Sequence, residues 1–137
     1  MCITSFEAGT TRRRKGERMG TERKVLIVDD NIDAADLTAD YLRVFGAEVS
    51  VAYGGAEALA AARACVPHVI FLDIGMPGMD GYQVAQALRA DGQFHDVKII
   101  ALTAWGDQAS RDKSRASGFD LHLTKPANLS TLLELAS

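Results

Sequence analysis

The feature that most constrains the fold is a pattern repeated five times along the chain, a short apolar run followed by a segment with helical periodicity. Apolar runs without polar alternation and rich in β-branched residues are typical of strands buried on both faces of a sheet. Strict alternation of strand and helix favours a parallel sheet with helices on both sides, because the crossover connections are right-handed. The predicted strands are Val25–Val28, Val49–Ala52, Val69–Leu72, Val97–Thr103 and Leu121–Leu123.

Five helices are predicted between and after these strands. The first ends at Gly46, and either Asp30 or Asn31 can cap its start. Its predicted apolar face consists of Ile32, Ala35, Leu37, Tyr41, Leu42 and Phe45. The remaining predicted helices are Gly55–Ala64, Tyr82–Leu88, Asp107–Ser117 and Leu129–Leu135.

This arrangement predicts one α/β domain of the flavodoxin-like (βα)5 class, a doubly wound parallel sheet with strand order 2-1-3-4-5. The length of 137 residues, the hydrophobic fraction of 47% and the net charge of −3 fit one ordinary globular domain. No apolar run approaches the roughly 20 residues that a membrane helix needs, so we expect no membrane association. Two cysteines without metal-ligand spacing favour the reducing cytoplasm.

The start of the chain differs in character from the rest. Residues 10–18 form a basic run without apolar periodicity, and no secretory or twin-arginine signal is completed. We therefore predict a disordered basic leader over residues 1–22 and a folded domain over residues 23–137.

Carboxylates stand at the ends of the first and third predicted strands. Asp29 and Asp30 follow one strand, and Asp73 follows the other. Because these strands are neighbours in the predicted order, the three side chains converge on one crevice, where they would repel one another without a cation. An all-oxygen set without His or Cys favours a hard ion, Mg²⁺ before Ca²⁺. The sequence therefore predicts a magnesium site formed by these three acids.

Two more polar side chains fall at the same edge of the predicted sheet. Thr103 ends the fourth strand, and Lys125 follows the fifth, with Pro126 directly after it. A metal, a hydroxyl, an ammonium and a carboxylate nucleophile are together what phosphoryl transfer onto an aspartate requires. This edge of the sheet therefore indicates phosphoryl chemistry.

These residues resemble the response-regulator receiver domain of two-component signalling. The resemblance extends from Lys24 to about Ala136. The separations along the chain fit the family: 43 residues from Asp30 to Asp73, 30 from Asp73 to Thr103, and 22 from Thr103 to Lys125. The segments 76–81 (Met-Pro-Gly-Met-Asp-Gly) and 46–49 (Gly-Ala-Glu-Val) fit it as well. The matching positions are Asp29, Asp30, Asp73, Thr103, Ala104, Lys125 and Pro126.

The resemblance implies a phosphoacceptor and a metal site. Asp73 would accept a phosphoryl group from a phosphohistidine on a sensor histidine kinase or a histidine phosphotransfer protein. Asp30 would bind Mg²⁺ directly and Asp29 mostly through water, and the backbone carbonyl of Gly75 would complete the protein ligands. The chain would then be a signalling phosphoacceptor rather than an enzyme that acts on other substrates.

The resemblance also implies a route from the site to a partner. Lys125 would pair with the phosphoryl oxygens and would be held by a cis bond to Pro126. Thr103 would move its hydroxyl onto a phosphoryl oxygen and so change the face made by helix 4, strand 5 and helix 5. A downstream protein target would bind this face, and the resemblance leaves a homodimer open.

Three residues depart from the commonest family pattern or fall where the family tunes its chemistry. His122 occupies the position of the aromatic side chain that usually moves with the threonine. Gly75 and Trp105 lie where the family sets the lifetime of the acyl phosphate, and a glycine together with a bulky tryptophan favours shielding of that bond from water. We expect these positions to shape the switch and its lifetime.

The sequence ends at Ser137, directly after the last predicted helix, so we expect no DNA-binding module and output through protein contacts. The segments 28–31 and 118–126 resemble receivers attached to hybrid histidine kinases, so a relay element and a free-standing regulator both stay open. Two other functions are alternatives: a small Mg²⁺-dependent phosphatase with an aspartyl nucleophile, and a receiver-like binding module that is never phosphorylated.

Overall fold

The computed structural model describes residues 23–104 and 108–136 of the chain, and within them five strands alternate with five α-helices. The strands are β1 (Lys24–Val28), β2 (Glu48–Ala52), β3 (Val69–Asp73), β4 (Lys98–Thr103) and β5 (Leu121–Thr124). The helices are α1 (Ile32–Val44), α2 (Gly55–Cys65), α3 (Gly81–Arg89), α4 (Gln108–Ala116) and α5 (Leu129–Ala136). The predicted leader, Trp105 and the predicted helix start at Asp107 lie outside the described residues.

All five strands are parallel and form one sheet in the order β2-β1-β3-β4-β5. The predicted strand order is therefore confirmed, and each predicted strand boundary lies within one residue of the observed one. In the pairing of β1 with β3, Val28 lies opposite Leu72. The residues that follow these two positions, Asp29 and Asp73, therefore emerge side by side.

The three central strands form a buried platform for this edge. The side chains of Val25–Val28 and Val69–Leu72 are at most 2% exposed, and those of Ile99–Leu102 at most 6%. Helices α2 and α3 cover one face of the sheet, and α1 and α5 cover the other. Burying a Val, Leu, Ile or Phe side chain contributes about 1.5 to 3 kcal/mol, so the strand ends are anchored in the most stable part of the domain.

The predicted apolar face of α1 is only partly correct. The helix buries Ala35, Ala39 and Leu42, whereas Leu37 is 62% exposed and Phe45 is 52% exposed. Ile32, another predicted member, is 54% exposed. Residues 35, 39 and 42 recur at helical spacing and form one stripe against the sheet, and the larger apolar residues fall outside that stripe. Two small alanines let the helix lie close to the sheet.

The loop after β3 is held tightly against the start of α3. Asp80 caps this helix by accepting a hydrogen bond from the Gln83 N–H at 3.0 Å, and the Gln83 side chain accepts one from the Asp80 N–H at 2.9 Å. A Cβ atom added to Gly81 would lie 2.7 Å from the carbonyl oxygen of Asp73. Only a glycine lets α3 begin so close to the end of β3.

An arginine at the end of α3 ties β4 and β5 to the helical layer. Arg89 Nε donates to the carbonyl of Gly118 at 2.9 Å, and its Nη1 donates to the carbonyl of Phe94 at 2.9 Å. Its Nη2 lies 2.7 Å from Asp120 Oδ2, which also accepts the N–H of Ile99 at 2.8 Å. These bonds fix the chain that leads into β5.

A histidine connects the amino ends of β1 and β3. His68 Nδ1 accepts the backbone N–H of Lys24 at 3.0 Å. Burial lowers the pKa of His68, and the charges of Arg23 and Lys24 lower it further.

No helix in the described ranges is both long and apolar enough to cross a membrane.

Candidate functional site

Three carboxylates converge at the carboxyl ends of β1 and β3. One oxygen from each of Asp29, Asp30 and Asp73 lies within 4.8 Å of the others. Asp29 is 5% exposed and Asp73 is 6% exposed, whereas Asp30 is exposed to solvent. The structure therefore brings the three predicted metal ligands together at the carboxyl-terminal edge of the sheet.

The local backbone orients the two acids that follow β1. Asp29 Oδ1 accepts the N–H of Asn31 at 2.9 Å, and the Asp29 N–H donates to the carbonyl of Ala52 at 3.1 Å. Asn31, rather than Asp30, caps α1 by accepting the N–H of Ala34 at 3.1 Å. Because Asn31 serves as the cap, the Asp30 carboxylate lies in the acid cluster.

Lys125 places its ammonium between the two buried acids. Its Nζ lies 3.2 Å from Asp73 Oδ1 and 3.3 Å from Asp29 Oδ2. The Lys125 N–H donates to the carbonyl of Thr103 at 2.7 Å, and the peptide bond from Lys125 to Pro126 is cis, as the resemblance implied. The chain after β5 is thereby held against the end of β4, and the lysine reaches back across the sheet edge.

Burial and neighbouring charges perturb the two central groups in this cluster. Burial raises the pKa of Asp73, the charge of Asp29 raises it further, and Lys125 opposes both effects, with a net rise. Burial lowers the pKa of Lys125, but the carboxylates of Asp73 and Asp29 raise it by more, so the net shift is upward. The Lys125 ammonium therefore stays charged. The pKa of the Asp73 carboxyl is set by opposing effects, since burial and Asp29 raise it and Lys125 lowers it.

The other predicted site residues lie around Asp73. The N–H of Gly75 donates to Asp73 Oδ1 at 3.3 Å. Thr103 is the last residue of β4 and is 2% exposed, in a strand where Asp73 lies opposite the preceding Leu102. Trp105 lies outside the described residues, so its predicted shielding role stays a prediction.

His122 lies on β5 and points to α4 rather than to the acids. Its Nδ1 lies 3.0 Å from Ser114 Oγ, and its side chain is half-buried. Sequence reasoning did not find Ser114, because a serine in a polar helical segment carries no signal of burial. Its contact with His122 depends on how α4 packs against β5.

The donor set fits a hard divalent cation. Every ligand atom offered by Asp29, Asp30 and Asp73 is a carboxylate oxygen, and two of these carboxylates are almost fully buried. Oxygen-only sets of this kind suit Mg²⁺, and a cation relieves the repulsion between the acids. The residues present therefore match the chemistry of a magnesium site.

Comparison with known proteins identifies the family. Residues 25–137 match the family model described as the response regulator receiver domain. The chain belongs to this family. Receiver domains bind Mg²⁺ at an acidic pocket, and this chain has an acid cluster at the corresponding edge of its sheet. The receiver-domain family is a signalling family, which favours the receiver interpretation over the aspartyl phosphatase.

The receiver domain has similar relatives of known name and structure. It is 42% identical over 106 residues to the probable transcriptional regulator ycf27 of Guillardia theta and 40% identical over 113 residues to the transcriptional regulatory protein PrrA of Mycobacterium tuberculosis. These matches cover 77% and 82% of this chain but 41% and 48% of the relatives. The chain thus spans about half the length of these curated relatives.

A solved structure shows the same fold. The chemotaxis response regulator CheY4 of Vibrio cholerae matches with a TM-score of 0.78 and 35% sequence identity. The match covers 82% of this chain and 94% of that one. The predicted flavodoxin-like receiver fold is therefore confirmed.

Proposed function

We propose that this receiver domain, residues 23–137, takes a phosphoryl group onto Asp73 from a phosphohistidine of a sensor histidine kinase or a histidine phosphotransfer protein. The observation that carries the proposal is the setting of Asp73. Asp73 is 6% exposed, and its carboxylate lies 3.2 Å from the Lys125 ammonium, beside two further acids. A nucleophile, a positive charge and a set of metal ligands are therefore concentrated at one point of the sheet edge.

The transfer balances without a further reactant. A carboxylate oxygen of Asp73 bonds to phosphorus, and the bond from phosphorus to the donor's imidazole nitrogen breaks. The electron pair stays on that nitrogen, and an acyl phosphate forms on Asp73. Lys125, already 3.2 Å from Asp73, stabilises the negative oxygens of the group in transfer.

Asp29, Asp30 and Asp73, with the backbone carbonyl of Gly75, would hold Mg²⁺. When bound, this ion supplies the positive charge that lets an anionic phosphoryl group approach three carboxylates. Lys125 supplies part of the same compensation in the absence of the ion, because it contacts both buried acids. The chain would act as a phosphoacceptor that slowly loses its own phosphoryl group, not as an enzyme that turns over phosphate esters.

The signal would leave the site through Thr103. In our proposal its hydroxyl closes on a phosphoryl oxygen and moves the chain that connects β4 to α4. The face formed by α4, β5 and α5 would then change and bind a downstream protein. Trp105 would shield the acyl phosphate, and His122 would take the place of the usual aromatic residue on β5.

The proposal is tested by incubating the full chain with acetyl phosphate and Mg²⁺ and measuring its intact mass. We expect a gain of a single phosphoryl group in the wild-type chain and no gain in Asp73→Asn, which keeps the volume and removes the nucleophile. The matched control is Asp80→Asn, because asparagine also caps helices well and this acid lies outside the cluster. Equal phosphorylation of Asp73→Asn and wild type would overturn the proposal, and repeated turnover of phosphate esters would support the phosphatase.

A further inference from the structure

Helix α4 is attached to the domain mainly through polar side chains. Ser114 is 1% exposed, and Ser117, directly after the helix, is 5% exposed. The side chains described for α4 begin at Ser110, and none of those that are buried is large and apolar. By contrast, α3 buries Val84, Ala85 and Leu88. Within the described side chains, residues 110–116, little apolar area therefore holds α4, and the position of this part of the helix depends on hydrogen bonds.

One of these hydrogen bonds joins α4 to β5. The Ser114 hydroxyl donates to the carbonyl of Ser110 at 3.0 Å. Because that bond uses the one proton of the hydroxyl, the contact of Ser114 Oγ with His122 Nδ1 at 3.0 Å requires the imidazole tautomer that carries a proton on Nδ1. The imidazole of His122 therefore binds a buried serine, and this bond spans from the sheet to the helix.

The other polar contacts described for this region run to α3 rather than to β5. Gln86 Nε2 lies 3.4 Å from Ser117 Oγ, and Lys113 Nζ lies 4.4 Å from the centre of the Tyr82 ring. The second is a cation–π contact at the surface, which contributes little. Among the polar contacts described for α4, the one between Ser114 and His122 is the one that reaches β5, and it is partly buried.

The histidine has room to leave the serine. A cavity of about 260 Å³ lies beside this pair and is lined by both residues together with Arg111, Arg115 and Phe119. A side chain that faces an open cavity can change its rotamer without displacing the core. Helix α4 begins at Gln108, five positions along the chain from Thr103 at the end of β4, so the connection between the site and the helix is short.

We propose that Ser114 and His122 form a latch that holds α4 against β5, and that phosphorylation changes the output face by opening it. This inference rests on the proposed function and adds to it the contact through which phosphorylation would change the position of α4. Both are positioning residues, since they act on the helix rather than on the reacting atoms. A hydrogen bond of this kind, once lost, makes local opening about 2- to 12-fold more frequent.

The first test measures amide hydrogen exchange of α4 in the unphosphorylated full chain. Ser114→Ala and His122→Gln should raise the exchange of α4 about 2- to 12-fold, while β1 and β3 stay unchanged. His122→Asn is the matched control, because the asparagine Nδ2 takes the place of the imidazole Nδ1 and keeps the donor. Wild-type exchange in Ser114→Ala, or equal effects of the Asn and Gln variants, would overturn the latch.

The second test adds beryllofluoride and Mg²⁺ as a phosphoryl analogue. In the wild-type chain, α4 exchange should rise towards the level of the Ser114→Ala variant, and the variant itself should change much less. If α4 exchange in Ser114→Ala rises on adding beryllofluoride by as much as it does in the wild type, phosphorylation does not act by opening the latch, and the proposal is overturned. If the wild-type chain does not respond at all, the proposed phosphoacceptor function fails, and the first test still decides whether the hydrogen bond holds α4.

Discussion

Replacing Lys125 with methionine keeps most of the side-chain volume and removes the positive charge between two buried acids. The variant loses the contacts of Nζ with Asp73 Oδ1 at 3.2 Å and with Asp29 Oδ2 at 3.3 Å. Hydrogen bonds to charged groups contribute about 1.5 to 3 kcal/mol each. The lysine side chain is 34% exposed, so water weakens both contacts. We expect the free energy of unfolding to fall by about 1 to 3 kcal/mol in total.

Thermal unfolding with and without Mg²⁺ measures this loss. In metal-free buffer with EDTA, about 4 °C per kcal/mol predicts a melting temperature about 4 to 12 °C below that of the wild type. Added Mg²⁺ should then stabilise the variant more than the wild type, because the acids of the variant have no ammonium to neutralise them and bind the ion more tightly.

The matched control is Lys98→Met, which removes the same charge from an exposed position at the start of β4. Its melting temperature and its response to Mg²⁺ should stay near those of the wild type. Two results would refute the reasoning: an unchanged melting temperature of Lys125→Met in EDTA, or an equal gain from Mg²⁺ in both proteins. Either result would mean that the ammonium does not compensate the buried carboxylates.

Three further predictions concern the surroundings of the site. Arg89→Leu removes the donors of two backbone carbonyls and should lower the free energy of unfolding in urea by about 1 to 3 kcal/mol; an unchanged midpoint would contradict this. Gly81→Ala would place a Cβ 2.7 Å from the carbonyl oxygen of Asp73 and should slow phosphorylation by acetyl phosphate, whereas Gly92→Ala, with open space around it, should not. Folding lowers the pKa of His68, so as the pH falls the unfolded chain binds a proton at this residue before the folded chain does. The free energy of unfolding therefore decreases as the pH falls below about 6.5. His68→Asn should reduce this loss between about pH 7.5 and about pH 5.5 in urea titrations, and an identical loss would argue against it.

The sequence was sufficient to predict the sheet and the position of its acids. The runs Val25–Val28 and Val69–Leu72 have no polar residue and are rich in β-branched side chains, which favours strands buried on both faces of the sheet. Asp29 and Asp73 come directly after these runs, and parallel strands bring their ends to one edge. The convergence of the acids therefore follows from local pattern and topology together.

Contacts between distant elements were not predictable in the same way. The reach of Arg89 to Gly118, 29 residues away, depends on the packing of α3 against the chain before β5. The contact of Ser114 with His122 depends on the placement of α4, a helix whose sequence is mostly polar. Arginine and serine are ordinary surface residues in a sequence, and only the tertiary arrangement shows what they bind.

The exposed apolar residues of α1 illustrate a different limit. Leu37 and Phe45 are apolar and were predicted to lie on the buried face of the helix, but they are exposed. The residues that pack against the sheet are Ala35, Ala39 and Leu42. The selection depends on how closely the helix approaches the strands, which small residues allow. Periodicity predicted that a helix forms here, and packing decided which side it buries.

The central claim is that Asp73 is the residue that carries the phosphoryl group, and chemical trapping tests it most directly. The chain is treated with acetyl phosphate and Mg²⁺, the acyl phosphate is reduced with borohydride, and peptides are sequenced by mass spectrometry. Reduction converts a phosphorylated aspartate to homoserine and leaves a free aspartate unchanged. We predict homoserine at position 73 and aspartate at positions 29 and 30. Homoserine at either of those positions, or aspartate at position 73 after a measured gain of phosphate, would contradict the account.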